Sequence, residues 1–213
     1  GRGATRGIRQ ARRMTSKAVT AIANGEAEAD AQYPDLIDFG HTAVEMTNIL
    51  KNARESKGGV ALDVKEAKIL FENGVITIPD YERTISHEMI EQFMVLANES
   101  VATIMTDKGM PFVYRIHERP SEEKANDFRT FRREAGVQKK YDPSRVIPAD
   151  YQNLLHSLED SPLYSLVNRV MLRSMRKAQY SPENVGHFGL ASDCYCHFTS
   201  PIRRYPDLCI HRI

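Results

Sequence analysis

The segment Thr199-Ser200-Pro201-Ile202-Arg203-Arg204-Tyr205-Pro206-Asp207 concentrates the groups that an anion needs into nine residues. Ser200 can cap a helix whose first turn is Pro201-Ile202-Arg203, which would turn backbone N–H groups and the positive end of a helix dipole outward. Arg203 in that turn supplies a planar, permanently charged fork suited to phosphate oxygens, and it is electrostatically misplaced there unless an anion compensates it. A purely structural reading also fits. Arg203 can pair with Asp207 one turn later, and Asp207 with His211 on the same face. The residues alone leave both readings open.

A second candidate is the helical pattern through Ser86-His87-Glu88-Met89-Ile90-Glu91-Gln92-Phe93-Met94-Val95-Leu96-Ala97-Asn98. Glu91 and Asn98 are seven residues apart and so share a face within roughly 20°. A carboxylate and an amide on a partly apolar stripe can meet ribose hydroxyls or orient a water, or they can serve the interior of the domain. The cysteines Cys194, Cys196 and Cys209, with His197 and His211, raise the question of zinc. Their spacing matches neither a C-x₂-C pair nor a regular finger, and small buried cysteines are ordinary core residues. No metal site is assigned. His41, His87, His117, His156 and His187 carry no pattern that separates a base or ligand from a surface residue, and no phosphate loop or dinucleotide fingerprint is present.

These groups need elements to hold them. Thr15 to Ala23 predicts a short helix ended by Asn24-Gly25, and Leu36, Phe39, Ala43, Met46, Ile49 and Leu50 predict a longer one from about Tyr33 to Ser56. Val60 to Val64 and Ile69 to Ile78 predict strands, the second folded into a hairpin at Asn73-Gly74. A long helix is expected from Thr84 or Ser86 to Thr106, then a strand-like stretch over Phe112 to His117 and a helix from Ser121 to about Gly136. Helices over about Ala149 to Leu158 and Pro162 to Tyr180 follow, then an irregular stretch over Gly186 to Phe198 and a last helix from about Pro201. Without a regular strand-helix alternation, the fold expected is α+β and helix-rich.

Composition narrows the class. With 41% hydrophobic and 27% charged residues, and no apolar run near the roughly 20 residues of a membrane span, the chain reads as globular. Three cysteines in a chain of 213 residues favour a reducing compartment, the cytoplasm. The net charge of +1 hides a basic head: Arg2, Arg6, Arg9, Arg12 and Arg13 occur within thirteen residues that contain no acid. A solvated or disordered tail and a nucleic-acid contact both fit it. The absence of an initial Met, and a last helix without a cap, make the chain read as a piece of something longer.

Several segments together resemble the RNB catalytic domain of the ribonuclease II/ribonuclease R family, ribonuclease R above all. They are Gly58-Gly59 with Glu66-Ala67-Lys68, the stretch from His87 to Asn98, Phe112 to Glu118, Leu172 to Met175, Asn184 to Ala191, and His197 to Leu208. The resemblance runs from about Met14 to the end. It implies processive 3′-to-5′ hydrolysis of single-stranded RNA to nucleoside 5′-monophosphates with Mg²⁺ or Mn²⁺, and neither DNA nor membrane as partner. By the same resemblance Arg203 holds the phosphate at the scissile bond and Glu91 meets the 3′-terminal nucleotide. Asn98, Ser200, Arg204 and Tyr205 complete the expected RNA-contacting set. Two departures stand out: Ser16 and Leu62 occupy positions where family members carry aromatics that grip terminal bases. The family's metal-binding aspartates lie upstream of this sequence, and Asp30, Asp35 and Asp38 do not reproduce their spacing. The chain is therefore expected to be one partial RNB domain, inactive alone. The alternative is a non-catalytic RNA-binding module.

Overall fold

The computed structural model describes residues 12–59, 70–72, 74–77, 83–138 and 141–213. The chain forms two compact units, Gly1–Lys51 with Asp63–Met94, and Asn52–Leu62 with Val95–Ile213. It is helix-rich with short antiparallel strand pairs, as expected. The basic head up to residue 11, the strand expected over Val60 to Val64, and Leu62 lie outside the described residues.

In the first unit, α1 (Ser16–Ala23) is capped by Thr15, whose hydroxyl accepts from the Ala18 N–H at 3.2 Å. A short α2 (Ala27–Gln32) follows, built from alanines and acids without the large apolar periodicity that would have revealed it. α3 is shorter than expected, Ile37–Ser56. Tyr33 precedes a proline, which disfavours α geometry there, and it sits at φ −130°, ψ 52°. α3 turns Gly40, Ala43 and Thr47 inward. A Cβ on Gly40 would stand 2.7 Å from Ile22 Cγ2, so glycine lets α3 approach α1. The hairpin forms where Asn73-Gly74 predicts it: β1 (Leu70–Glu72) and β2 (Val75–Thr77) pair Glu72 with Val75 across a two-residue loop.

α4 (Ile85–Asp107) begins in the first unit and continues into the second. In the second unit, β3 (Tyr114–Ile116) pairs antiparallel with β4 (Gln179–Ser181), setting Arg115 opposite Tyr180. α5 (Glu122–Glu134) is capped by Ser121 and ends at Gly136, φ +78°. A 3₁₀ turn (Pro143–Arg145), α6 (Pro148–His156) and α7 (Tyr164–Ser174) complete a core of Phe128, Tyr151, Leu154, Val167 and Met171, each at most 1% exposed. A second cluster gathers Ala102, Phe112, Tyr114, Ile116, Cys196 and Ile210 around α4 and β3.

Two expectations are corrected. The helix expected to reach Tyr180 stops at Ser174, because Met175 is extended (ψ 152°) and the chain leaves to form β4 against β3. The last helix begins at Tyr205 and not near Pro201: α8 is Tyr205–Ile210, preceded by a turn over 201–203. Proline is tolerated only in a first helical turn, so Pro206 in a helix begun at Pro201 would cost about 3 kcal/mol. Beginning at Tyr205 puts it in the first turn.

Candidate functional site

Asn98 anchors the segment that leads into the site. It is 0% exposed, its Nδ2 donates to the Tyr195 hydroxyl at 2.9 Å, and its Oδ1 accepts from the Phe198 N–H at 2.9 Å. Its carbonyl accepts from the Cys196 thiol at 3.2 Å. Stacking of Phe198 on His211 (centroids 4.1 Å apart, planes at 15°) and the His211 Nε2 bond to the Phe198 carbonyl, 3.0 Å, fix the segment from the other side. Asn98 is spent on positioning, and the expected side-chain contact between Asp207 and His211 is replaced by this stack.

Beyond Phe198 the chain turns. The Ser200 carbonyl accepts from the N–H groups of Arg203 (3.2 Å) and Arg204 (3.1 Å), and the Ser200 N–H donates to Asp207 Oδ1 at 2.7 Å. Ser200 thus organises the turn through its backbone and does not cap α8, whose N-cap position is Arg204. Arg204 Nε and Nη2 also reach Asp207 Oδ1, at 3.1 and 2.8 Å. Asp207 is fully buried, with its Oδ2 unpartnered among the described residues.

The structural alternative for Arg203 is therefore taken by its neighbour. Arg204 pairs with Asp207, while Arg203 is exposed and makes no side-chain hydrogen bond or ion pair among the described residues. Ile202, fully exposed, and Tyr205, 73% exposed, flank it. Arg203 and Tyr205 face solvent, whereas Asn98, Ser200 and Arg204 are committed to holding the turn. Glu91 belongs to the first unit, where it ion-pairs with Arg83. Ser16 is an exposed first residue of α1, and Arg12 of the basic head pairs with Asp35 at 3.4 Å.

Histidines that showed no pattern in the sequence meet here. His197 Nδ1 lies 2.8 Å from the Tyr180 hydroxyl, and edge-on contacts join His197 to Tyr195 (5.9 Å), Tyr195 to His187 (5.2 Å) and His187 to His117 (5.1 Å). Burial, then Arg204 and Arg115, push the His197 pKa down to about 4. Burial, then His117, push that of His187 down to about 3. Both rings are neutral at physiological pH, so the permanent charges beside the turn come from arginines. The segments Arg115-Ile116-His117 and Gly186-His187 were visible as parts of the resemblance. Their meeting across about 70 residues of sequence was not visible, because no local periodicity encodes it.

Among the described residues no group of three or more histidines, cysteines, aspartates or glutamates could hold a metal ion. The three cysteines are thiols: Cys196 is buried, Cys194 lies 3.1 Å from the Thr106 hydroxyl, and burial raises the pKa of both.

A family model described as RNB domain matches residues 6–213. Ribonuclease R of Thermotoga maritima is 44% identical over 85% of this chain and 26% of its own length, and ribonuclease R of Escherichia coli K12 39% identical over 94% of this chain and 25% of its own. The chain thus spans about a quarter of the length of these curated relatives. The structure of Mycoplasma genitalium RNase R in complex with ribose methylated single-stranded RNA matches with a TM-score of 0.81 at 29% identity, covering 92% of this chain and 31% of that one.

Proposed function

The chain belongs to the RNB-domain family, and on that footing we propose that the complete protein is a 3′-to-5′ exoribonuclease. Its substrate is single-stranded RNA, hydrolysed processively to nucleoside 5′-monophosphates, and this chain contributes part of one RNB domain. The relatives named ribonuclease R support the activity. The neighbour that carries single-stranded RNA supports the substrate. Mg²⁺ or Mn²⁺ belongs to the complete enzyme, on ligands other than the described residues, and this chain alone is inactive. Three thiols fit the reducing cytoplasm.

The observation that carries the site assignment is the division of labour at the turn. Arg204 neutralises Asp207, which leaves Arg203 exposed with its donors available for a phosphate. Arg203 holds the scissile phosphate and stabilises charge that develops there. Tyr205 offers a ring beside it, and Asn98, Ser200 and Arg204 keep the turn in place. Glu91 is assigned to the ribose hydroxyls of the 3′-terminal nucleotide, the groups that separate RNA from DNA.

In the complete protein Arg203→Ala should lower turnover by about two orders of magnitude or more, the size of a lost oxyanion-type donor. RNA affinity should change much less, since one phosphate is a small share of total binding. Single-turnover rates and equilibrium binding of a 3′-labelled oligonucleotide separate the two. Equal losses in both would remove Arg203 from the reacting phosphate.

A further inference from the structure

Arg203 is not the only unbalanced cation of this surface. Arg115 lies directly opposite Tyr180 in the β3–β4 pair, and its guanidinium carbon sits 4.7 Å from the centre of the Tyr180 ring. The Arg115 backbone N–H donates to the Tyr195 carbonyl at 2.9 Å, which ties β3 to the segment entering the phosphate turn. Its guanidinium makes no hydrogen bond or ion pair among the described residues. Tyr180 in turn bonds His197. The fields of Arg115, Arg203 and Arg204 all bear on His197, and the carboxylate acting on it is Asp207, which Arg204 already holds. Arg115 and Arg203 thus both act on His197, and neither guanidinium makes an ion pair among the described residues.

We propose that Arg115, held over the ring of Tyr180, binds a second backbone phosphate of the RNA, on a linkage next to the one held by Arg203. An extended strand repeats its charge at every nucleotide, so two uncompensated forks beside one neutral imidazole suit two successive phosphates. Tyr180 is a positioning residue: its ring holds the guanidinium through a cation–π contact, and its hydroxyl ties that ring to His197. The Arg115-Tyr180 pair thus sets where along the strand Arg203 closes on phosphate. This rests on RNA being the substrate.

The test uses the complete protein with divalent metal chelated, so that RNA binds without cleavage. The probes are oligoribonucleotides that each carry one uncharged methylphosphonate linkage, stepped from the 3′ end. At one linkage, neutralisation should weaken wild-type binding about tenfold, the size of one charged contact. At that linkage Arg115→Ala should lose no more than about twofold, since the coupling partner is gone. Arg203→Ala should keep sensitivity there and lose it at an adjacent linkage. Tyr180→Leu should reproduce the Arg115→Ala pattern, while Tyr180→Phe and Arg115→Lys should remain sensitive. A variant that misfolds weakens binding to every probe alike, and Tyr180→Leu then decides. Wild-type sensitivity at every linkage in both Arg115→Ala and Tyr180→Leu overturns the proposal and leaves the function above standing. No linkage dependence in the wild type likewise overturns the proposal, whereas failure of the wild type to bind any of the oligoribonucleotides overturns the RNA reading itself.

Discussion

At Asp207 one carboxylate oxygen accepts three donors, from the Ser200 backbone and twice from Arg204, inside a residue that is 0% exposed. Removing the carboxylate strands Arg204, only 17% exposed, without its anion. Asp207→Ala should therefore destabilise the chain by about 3–5 kcal/mol, the cost of leaving one member of a buried pair uncompensated. Asp207→Asn keeps an acceptor and should lose clearly less. Denaturant unfolding of the two variants checks this; equal losses would mean that the charge and its bonds contribute little. Whether Arg203 or Arg204 takes Asp207 was undecidable from spacing, since both i,i+3 and i,i+4 pairs meet on a helix. It depended on where the helix starts. Pro206 held that information: it forbids a helix running from Pro201 through to Asp207, and moving the start to Tyr205 brings Arg204 to the carboxylate and releases Arg203.

Elements with strong local chemistry were legible. Thr15 and Ser121 cap α1 and α5, and β1 and β2 pair in the register that the Asn73-Gly74 sequence predicts. α7 was overextended because its end is set by strand pairing with β3, some 65 residues earlier, and helix propensity cannot report that. Gly58 is an element-scale residue of another kind. It ends α3 at φ +89°, and a Cβ there would lie 2.6 Å from the backbone nitrogen of Ala149 in α6. Both the backbone conformation and the contact resist a side chain. Gly58→Ala should cost about 2–3 kcal/mol, a left-handed alanine plus an overpacked contact, and should lower the denaturation midpoint. Gly74, also at positive φ, has open space around its would-be Cβ, so Gly74→Ala should cost about 1 kcal/mol from conformation alone. A loss at Gly58 no larger than that at Gly74 would show that α6 yields freely.

At the scale of the whole chain, one buried and two half-buried histidines tie folding to proton concentration. His117, His187 and His197 all have pKa values below the ordinary 6.5, each chiefly because burial disfavours the imidazolium. Arg115 adds repulsion at all three. In the unfolded chain these rings take up protons as the pH falls through 6.5, whereas the folded chain refuses them until about 4 at His197 and about 3 at His187. The unfolded state then binds more protons, so stability falls with pH at a slope that approaches one proton per histidine. The contribution is fully present above pH 6.5, is lost progressively below it, and levels off only beneath the folded values. His117 and His187 line a cavity of about 330 Å³. The thermal midpoint of the 213-residue chain should therefore drop steadily from pH 7 to pH 5, a range largely above the ordinary carboxylate pKa values. His187→Gln should flatten part of that slope, because glutamine has no proton to refuse. A midpoint that stays level or rises over this range would mean that the rings protonate in place, and the edge-on chain joining His117 to His197 would then be looser than its 5.1 to 5.9 Å spacings require.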